Sequence, residues 1–301
     1  MHGYKNYLLD LLLLSVVIIW GFNFSVVKII YRDLHPIAFN AIRFLIATTA
    51  MVALLRLRGA TLKVAREDYP RVIWLGILSN TLYQFLFVLG LARTKAGNSG
   101  LFMALTPIFA YVIGVIARRE RFNRGVLSGI ILSLIGVATI ILLGSAEVSF
   151  GATWRGDLMM ISAALCWGWY SAESTRLLAK YGALRLTVLT MISGTTVMAP
   201  LSIPWLLTQD WSGIAPLAWF SLGYSALLAI VYSYFVWAYA LSRIGVAHTA
   251  IFSNFTPIVA LLGGWIMLGE RPLLAQGVGV LLVLTGVFIV RSRRPLPLPD
   301  E

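Results

Sequence analysis

The sequence has few of the residues that build disulfide bonds, metal sites and water-soluble surfaces. Its 301 residues include one cysteine and three histidines, and only 12% are charged. The single Cys166 excludes an internal disulfide and a cysteine-based metal site, and the scattered histidines make a zinc site and any other metal site unexpected. Soluble domains carry about 25% charged residues, so the low charge argues against an ordinary soluble fold.

The sequence does contain long apolar runs. Hydrophobic residues make up 59% of the chain and the mean hydropathy is +0.85. About 20 apolar residues suffice to cross a bilayer as a helix. Ten such runs are predicted, namely Leu8–Ile30, Pro36–Leu55, Val72–Leu91, Gly97–Ala117, Gly125–Leu143, Leu158–Leu178, Leu184–Leu207, Pro216–Leu241, Ala247–Leu268 and Pro272–Val290. The first is expected to be a retained span, since no small-residue cleavage site follows it.

A segment of the first half recurs in the second half, 150 residues later. Residues 85–137 match residues 235–287 without a gap, and Thr106-Pro107-Ile108 falls on Thr256-Pro257-Ile258. Glu120-Arg121 falls on Glu270-Arg271 in the same alignment. The chain is therefore predicted to be a duplication. Its parts are a first five-helix repeat (1–144), a connecting loop (145–156), a second repeat (157–291) and a tail (292–301).

The basic residues predict the direction of each span. The net charge is +12, and seventeen of the 24 Lys and Arg residues fall on one predicted side, mainly in 56–71, 118–124, 176–185 and 291–294. Their place in short loops favours the positive-inside rule over nucleic-acid binding and puts both termini in the cytoplasm. Because five spans per repeat is an odd number, the second repeat is inverted. Inverted repeats around a central cavity are typical of secondary transporters.

Several short motifs resemble one known family. They are Trp20-Gly21-x-Asn23-Phe24 followed by Lys28, Ala41-Ile42-Arg43-Phe44, Leu105-Thr106-Pro107-Ile108 with Glu120, Phe255-Thr256-Pro257-Ile258 with Gly269-Glu270-Arg271, and the glycines of 125–129 and 277–286. Together they resemble the EamA family of the drug/metabolite transporter superfamily. The resemblance covers essentially the whole chain. It departs in the second half, where Trp167-Gly168-Trp169-Tyr170 replaces the Trp-Gly-x-Asn motif.

The resemblance implies ten helices, two inverted five-helix repeats and a central cavity. It implies transport of small metabolites, often amino acids, commonly as export across a bacterial-type inner membrane. No cofactor is expected, and the partners are a small-molecule substrate and the lipid bilayer, with a monomer or a homodimer both open. The resemblance does not specify the solute.

Polar and aromatic residues at membrane depth are the predicted substrate-binding residues. They are Trp20, Asn23 and Phe24 on one face of span 1, Tyr83 and Gln84 on span 3, Trp167 and Tyr170 on span 6, Tyr232 on span 8 and Asn254 on span 9. A lipid-facing helix has no use for a mid-membrane amide, so these side chains are expected to face inward. The alternative is that they only join helices by hydrogen bonds.

Two prolines and two basic residues stand out in the predicted spans. Pro107 and Pro257, at equivalent depths, are predicted to kink spans 4 and 9 and to act in gating, with a static bend as the alternative. Lys28 and Arg43 are expected to reach the lipid headgroups or to make a structural contact, rather than to attract anionic solutes. No carboxylate lies deep in a predicted span, so the sequence does not indicate proton coupling.

Other functions remain open at this level. An intramembrane enzyme is disfavoured and no catalytic residue is predicted, since neither Gly-x-Ser-x-Gly nor His-Glu-x-x-His occurs. A non-transporting membrane subunit or regulator, and a facilitator for drugs, cations or nucleosides, are the remaining alternatives. Flux through liposomes that contain only this chain separates a transporter from a subunit.

Overall fold

The computed structural model describes residues 2–94, 96–144, 153–259, 261–262 and 273–293. Over these residues the chain is helical and has no β-strand, which confirms the prediction of an all-α protein. The helices are α1 (His2–Ile30), α2 (Pro36–Leu57), α3 (Tyr69–Gly76), α4 (Tyr83–Arg93), α5 (Ala96–Met103), α6 (Thr106–Ile116), α7 (Arg124–Gly144), α8 (Trp154–Tyr181), α9 (Ala183–Thr208), α10 (Pro216–Ala226), α11 (Ser233–Ala250) and α12 (Leu274–Ser292). Two π-helical segments, Ile77–Leu82 and Leu227–Tyr232, join α3 to α4 and α10 to α11, and 3-10 turns cover Arg66–Asp68 and Ile251–Phe255.

Seven of the described helical stretches are long and apolar enough to cross a membrane. The shortest has 19 residues, which is about 28 Å of helix and close to the hydrocarbon thickness of about 30 Å. They are Pro36–Leu57, Arg66–Arg93, Asn98–Ile116, Arg124–Leu143, Ala183–Thr208, Pro216–Val259 and Leu274–Ser292. Large apolar side chains such as Leu57, Phe220 and Leu274 are exposed, which suits contact with lipid. Residues 260 and 263–268 of the predicted ninth span lie outside the described residues.

The helix ends follow from proline and glycine. Pro36 and Pro216 occupy the first turns of α2 and α10, where a missing N–H costs nothing. His35 Nδ1 accepts a hydrogen bond from the backbone N–H of Ile37 at 3.3 Å and so caps α2. Gly182 separates α8 from α9 with a φ of 75°, a conformation that favours glycine. These prolines and this glycine therefore mark where one helix ends or the next begins.

Helix α8 contacts helices from both halves of the chain. It packs against α4, α5 and α6 from the first half and against α11 from the second. Its Gly168 lies so close to α6 that a Cβ there would stand 2.8 Å from the backbone nitrogen of Ala110. The neighbouring Trp167 is buried.

The last described helix, α12, packs against α7 through glycines on both helices. A Cβ on Gly129 would stand 2.8 Å from the carbonyl oxygen of Gly286, and one on Gly136 would stand 2.7 Å from that of Gly279. The 150-residue shift aligns Gly129 with Gly279 and Gly136 with Gly286, so the two contacts are equivalent in the repeat. Without side chains the two backbones approach closely, as small residues permit in membranes.

Candidate functional site

A cavity lies at the centre of the helices, between the two halves of the chain. The space between its wall atoms is about 750 Å³, a figure that includes the solvent at its open mouth. Five predicted residues line it, namely Trp20, Asn23, Tyr83, Gln84 and Trp167. The wall is completed by Arg43, Phe87, Gly100, Met103, Ala104, Thr106, Ala229, Ile230, Tyr234, Ser253 and Thr256. We call this space the central cavity; its largely apolar wall with a few polar groups suits a small ligand.

Trp167 is the centre of an aromatic cluster at the cavity wall. Its ring centre lies within packing distance of five others, at 5.9 Å from Trp20, 5.1 Å from Tyr83, 5.2 Å from Tyr170, 4.9 Å from Tyr234 and 5.9 Å from Trp237. Trp20 is fixed further by its indole N–H, which donates to the carbonyl oxygen of Ala229 at 2.9 Å. The cluster therefore gives the cavity a rigid wall on which an apolar or planar group can pack.

A polar network crosses the other part of the wall. Arg43 donates from Nη2 to Asn40 Oδ1 at 2.6 Å and to Gln84 Oε1 at 2.7 Å, and from Nη1 to Ser225 Oγ at 3.0 Å. Gln84 in turn donates from Nε2 to the hydroxyl of Tyr234 at 2.7 Å. The network ties α2, α4, α10 and α11 together beside the cavity. It also fixes which polar atoms a ligand would meet.

Two oxygen atoms on the wall have no hydrogen-bond partner among the described residues. They are Oδ1 of Asn23 and Oγ1 of Thr106, in side chains that are 7% and 1% exposed respectively. A buried acceptor without a partner costs about 1–3 kcal/mol. Both residues border the central cavity.

Three of the four remaining predicted binding residues, Tyr170, Tyr232 and Asn254, are not among the residues that line the cavity. Tyr170 packs behind Trp167, and the hydroxyl of Tyr232 shares a hydrogen bond of 2.7 Å with that of Ser15. Asn254 is fully buried and donates from Nδ2 to Ser133 Oγ at 3.0 Å. The side chain of Phe24 lies outside the described residues. That any of the predicted residues contacts a substrate stays a prediction, whether or not the residue lines the cavity.

Sequence reasoning missed Tyr234 and was right in only one of its two alternatives for Arg43. Arg43 is 2% exposed and therefore does not reach the lipid headgroups, whereas the alternative of a structural contact agrees with its three hydrogen bonds. The prediction for span 8 assumed a regular α-helix, but the π-helical turn before Ser233 adds a residue and rotates the following face. One signal for Tyr234 was present in the sequence, because the 150-residue shift aligns it with Gln84.

The two prolines stand where their helices are interrupted. Helix α5 ends at Met103 and α6 begins at Thr106, so Pro107 occupies a first turn and removes no hydrogen bond from a continuous helix. Pro257 likewise follows the 3-10 turn Ile251–Phe255. Thr106 and Thr256, the residues before the prolines, both border the central cavity. The bends thus lie beside the cavity, and their part in gating stays a prediction.

A second cleft lies at the end of α6 and differs in chemistry. Glu120 lies in the loop before α7 and accepts a hydrogen bond at Oε1 from the backbone N–H of Ala247 at 2.7 Å. Burial raises the pKa of this carboxyl above its usual range. Ala247 follows Gly245, where a φ of 77° breaks α11, so Glu120 caps the helical turn that starts there. The cleft is thus a structural joint lined with arginines, and it lacks the aromatic wall of the central cavity.

Comparison with known proteins gives consistent matches along the whole chain. The EamA-like transporter family matches residues 8–142 and 154–292. An uncharacterized transporter of Archaeoglobus fulgidus is 29% identical over 94% of this chain and 99% of its own length. A probable terminal-alkyne amino-acid exporter of Streptantibioticus cattleyicolor is 25% identical over 93% of this chain and 92% of its own. A probable amino-acid metabolite efflux pump of Salmonella typhimurium is 26% identical, over 92% and 93%.

A solved crystal structure shares the fold. It aligns with a TM-score of 0.78 over 94% of this chain and 96% of the other, at 17% sequence identity. At this identity the likeness concerns the arrangement of helices alone. The fold, the family match and the apolar helices together identify a multi-pass membrane protein of transporter type.

Proposed function

Since the chain belongs to the EamA-like transporter family, we propose that it is a secondary transporter that exports small metabolites, amino acids or similar amphipathic solutes, across the inner membrane by alternating access. The substrate is taken up in the central cavity between the two halves. The observation that carries the proposal is the cavity itself, where a rigid aromatic wall faces a polar network at membrane depth. Membership of a transporter family supports transport over catalysis.

The proposed architecture is ten transmembrane helices in two inverted repeats of five, with both termini in the cytoplasm. The repeats are 1–144 and 157–291, joined by 145–156 and followed by the tail 292–301. The two π-helical segments support this division, because Ile77–Leu82 and Leu227–Tyr232 lie 150 residues apart. The paired glycine contacts between α7 and α12 support a two-fold relation in the same way. Alternating access then requires one repeat to rock against the other around the cavity.

The alternatives are a non-transporting subunit and a facilitator for drugs, cations or nucleosides. Two of the relatives above are named for amino-acid export, which favours amino acids as the first substrates to test. The predicted binding residues Trp20, Asn23, Phe24, Tyr83, Gln84, Trp167, Tyr170, Tyr232 and Asn254 form the proposed site and its supporting layer. Pro107 and Pro257 are the proposed pivots.

Flux through purified protein tests the proposed function. We expect liposomes that contain only this chain, preloaded with an unlabelled amino acid, to accumulate the same labelled amino acid several times faster than protein-free liposomes. The standard amino acids, nucleosides and amphipathic cations form the panel. A ligand at 100 times its dissociation constant stabilises the folded state by about 2.7 kcal/mol. Binding therefore also raises the melting temperature. If no amino acid gives flux, the proposal of an amino-acid transporter is wrong; silence of the whole panel favours a subunit.

Cysteine labelling tests the proposed topology. Cys166 is buried and is the single cysteine, so its replacement by alanine gives a cysteine-free background. In intact cells we expect Ser292→Cys to resist an impermeant maleimide and Ser212→Cys to react, since both residues are exposed but lie on opposite proposed sides. Ser292→Cys should react once the membrane is permeabilised. Reaction of Ser292→Cys in intact cells would contradict cytoplasmic termini.

A further inference from the structure

The central cavity contains one buried positive charge whose described partners are all neutral. Arg43 is 2% exposed and borders the cavity, and its three hydrogen bonds go to the side chains of Asn40, Gln84 and Ser225. We propose that the guanidinium of Arg43 binds the carboxylate of the transported solute, so that the site selects anionic or zwitterionic solutes with an apolar body. This inference rests on the proposed transport function and specifies its substrate class.

No counter-ion for Arg43 is present among the described residues. No carboxylate oxygen of the described residues lies within 4.0 Å of an Arg43 nitrogen. The ion pairs among those residues join Arg119 to Glu173, Lys180 to Glu67 and Asp68, and Arg291 to Asp10. A charge buried without a partner of opposite sign is strongly unfavourable. Basic residues inside membrane bundles therefore normally face an acid, a water-filled cavity or a substrate path. Of these three, Arg43 borders a cavity, namely the central cavity.

The guanidinium has N–H donors that no described residue uses. An arginine carries five N–H groups, and the hydrogen bonds to Ser225, Asn40 and Gln84 use three of them. Nε has no hydrogen-bond partner among the described residues. Among the same residues, Nη1 donates only to Ser225 and so leaves its second N–H unused. The face of the guanidinium lies over the Phe39 ring, 4.7 Å from its centre, which holds the group in place. A carboxylate would thus meet a preorganised donor.

The remaining wall complements the rest of an amino acid. Oδ1 of Asn23 and Oγ1 of Thr106 are acceptors without a described partner, and an ammonium group has three N–H donors. The rings of Trp20, Tyr83 and Trp167 offer an apolar surface for a side chain. The positive charge of Arg43 repels cations, so the cavity disfavours amphipathic cations as substrates. The chemistry of the wall points to a zwitterion with an apolar side chain.

Paired solutes that differ only in the carboxylate test the inference in the unmodified protein. Each standard amino acid that gives counterflow, with L-phenylalanine as the first probe, is compared with its own amide, which keeps the ammonium and the side chain. We expect flux of the acid to exceed that of the amide at least tenfold. Equal flux of both would overturn the Arg43 inference and leave the proposed transport intact. Absence of flux for every amino acid would instead overturn the proposed amino-acid transport.

Substitution of Arg43 assigns the selectivity to this side chain. We expect Arg43→Gln to lower flux of the acid at least tenfold and to bring the acid-to-amide ratio near one, while Arg43→Lys keeps part of the selectivity through its charge. Arg93→Gln is the matched control, because Arg93 ends α4 and is exposed; its ratio should equal that of the unmodified protein. A folded Arg43→Gln protein with full selectivity would refute the inference. If Arg43→Gln does not fold, the acid-to-amide flux ratio of Arg43→Lys and of the unmodified protein tests the inference instead.

Discussion

Replacing Gly279 with leucine should leave almost no folded protein, whereas the same replacement at Gly277 should be tolerated. The two glycines lie two residues apart on α12. A Cβ on Gly279 would stand 2.7 Å from Ile140 Cγ1, 2.8 Å from the carbonyl oxygen of Gly136 and 2.9 Å from the nitrogen of Ile140. A Cβ on Gly277 would have no neighbour within 4 Å. The pair therefore isolates the contact between α7 and α12 from the general effect of leucine in a helix.

The size of the effect follows from what must move. Inserted atoms that meet flexible side chains cost about 1–3 kcal/mol in a packed core. At Gly279 the obstacle includes backbone of α7, so leucine must push two helices apart along their whole contact, and the cost should exceed about 3 kcal/mol. Fluorescence-detected size exclusion of solubilised protein measures the folded fraction, and thermal unfolding measures the remaining stability.

Alanine replacements give the same comparison in graded form. Alanine favours a helix over glycine by about 1 kcal/mol, so Gly277→Ala should match or slightly exceed the stability of the unmodified protein. Gly279→Ala adds one carbon into the contact and should lower the melting temperature despite that gain. Equal stability of the two alanine variants would show that α7 and α12 do not meet closely at Gly279.

The helices were predictable because membrane crossing imposes simple rules on sequence. Runs such as Pro36–Leu57 and Arg124–Gly144 are apolar over the length of the hydrocarbon core, and prolines and glycines stand at their ends. The 150-residue repeat was also visible without a structure, since identical residues recur in register. The apolar runs and the repeat can both be read from the order of residues without knowing any contact in the fold.

Features that depend on contacts between distant segments were not predictable. The π-helical turns at Ile77–Leu82 and Leu227–Tyr232 change which residues face inward, and they have no composition of their own. The partners of Arg43 come from three helices, and the sequence does not show that Ser225 lies beside it. Tyr83 and Trp167 were easier to predict, because aromatic residues next to polar ones at membrane depth favour an inward face.

Trp167→Ala should abolish most of the transport, whereas Trp169→Ala should change it little. Both tryptophans lie on α8, but Trp167 is 3% exposed and Trp169 is 40% exposed. Trp169 contacts the half-exposed Trp74 on the outer surface, with ring centres 5.9 Å apart. Loss of Trp167 removes the ring on which Tyr83 and Tyr234 pack, so the cavity wall collapses or widens. We expect amino-acid flux to fall at least tenfold, which counterflow in proteoliposomes measures.

Stability must be separated from function, because a buried tryptophan also contributes to folding. Truncation of a large buried aromatic residue costs about 3–5 kcal/mol, so Trp167→Ala should melt at a lower temperature than the unmodified protein. Flux is therefore measured per folded protein, well below the melting temperature of the variant. If Trp167 only joins helices, we expect normal flux under those conditions. If Trp167 forms the cavity wall, we expect low flux in the folded variant.

A conservative substitution completes the test of the aromatic wall. Trp167→Phe keeps a ring at the same position and should retain more stability than the alanine variant. It leaves more room beside Trp20 and Tyr234, whose ring centres lie 5.9 Å and 4.9 Å from that of Trp167. The preference among amino acids should therefore shift toward larger side chains, because a pocket gains contact area with a solute that fills the space. An unchanged preference in folded Trp167→Phe, together with normal flux in Trp167→Ala, would place the substrate elsewhere in the molecule.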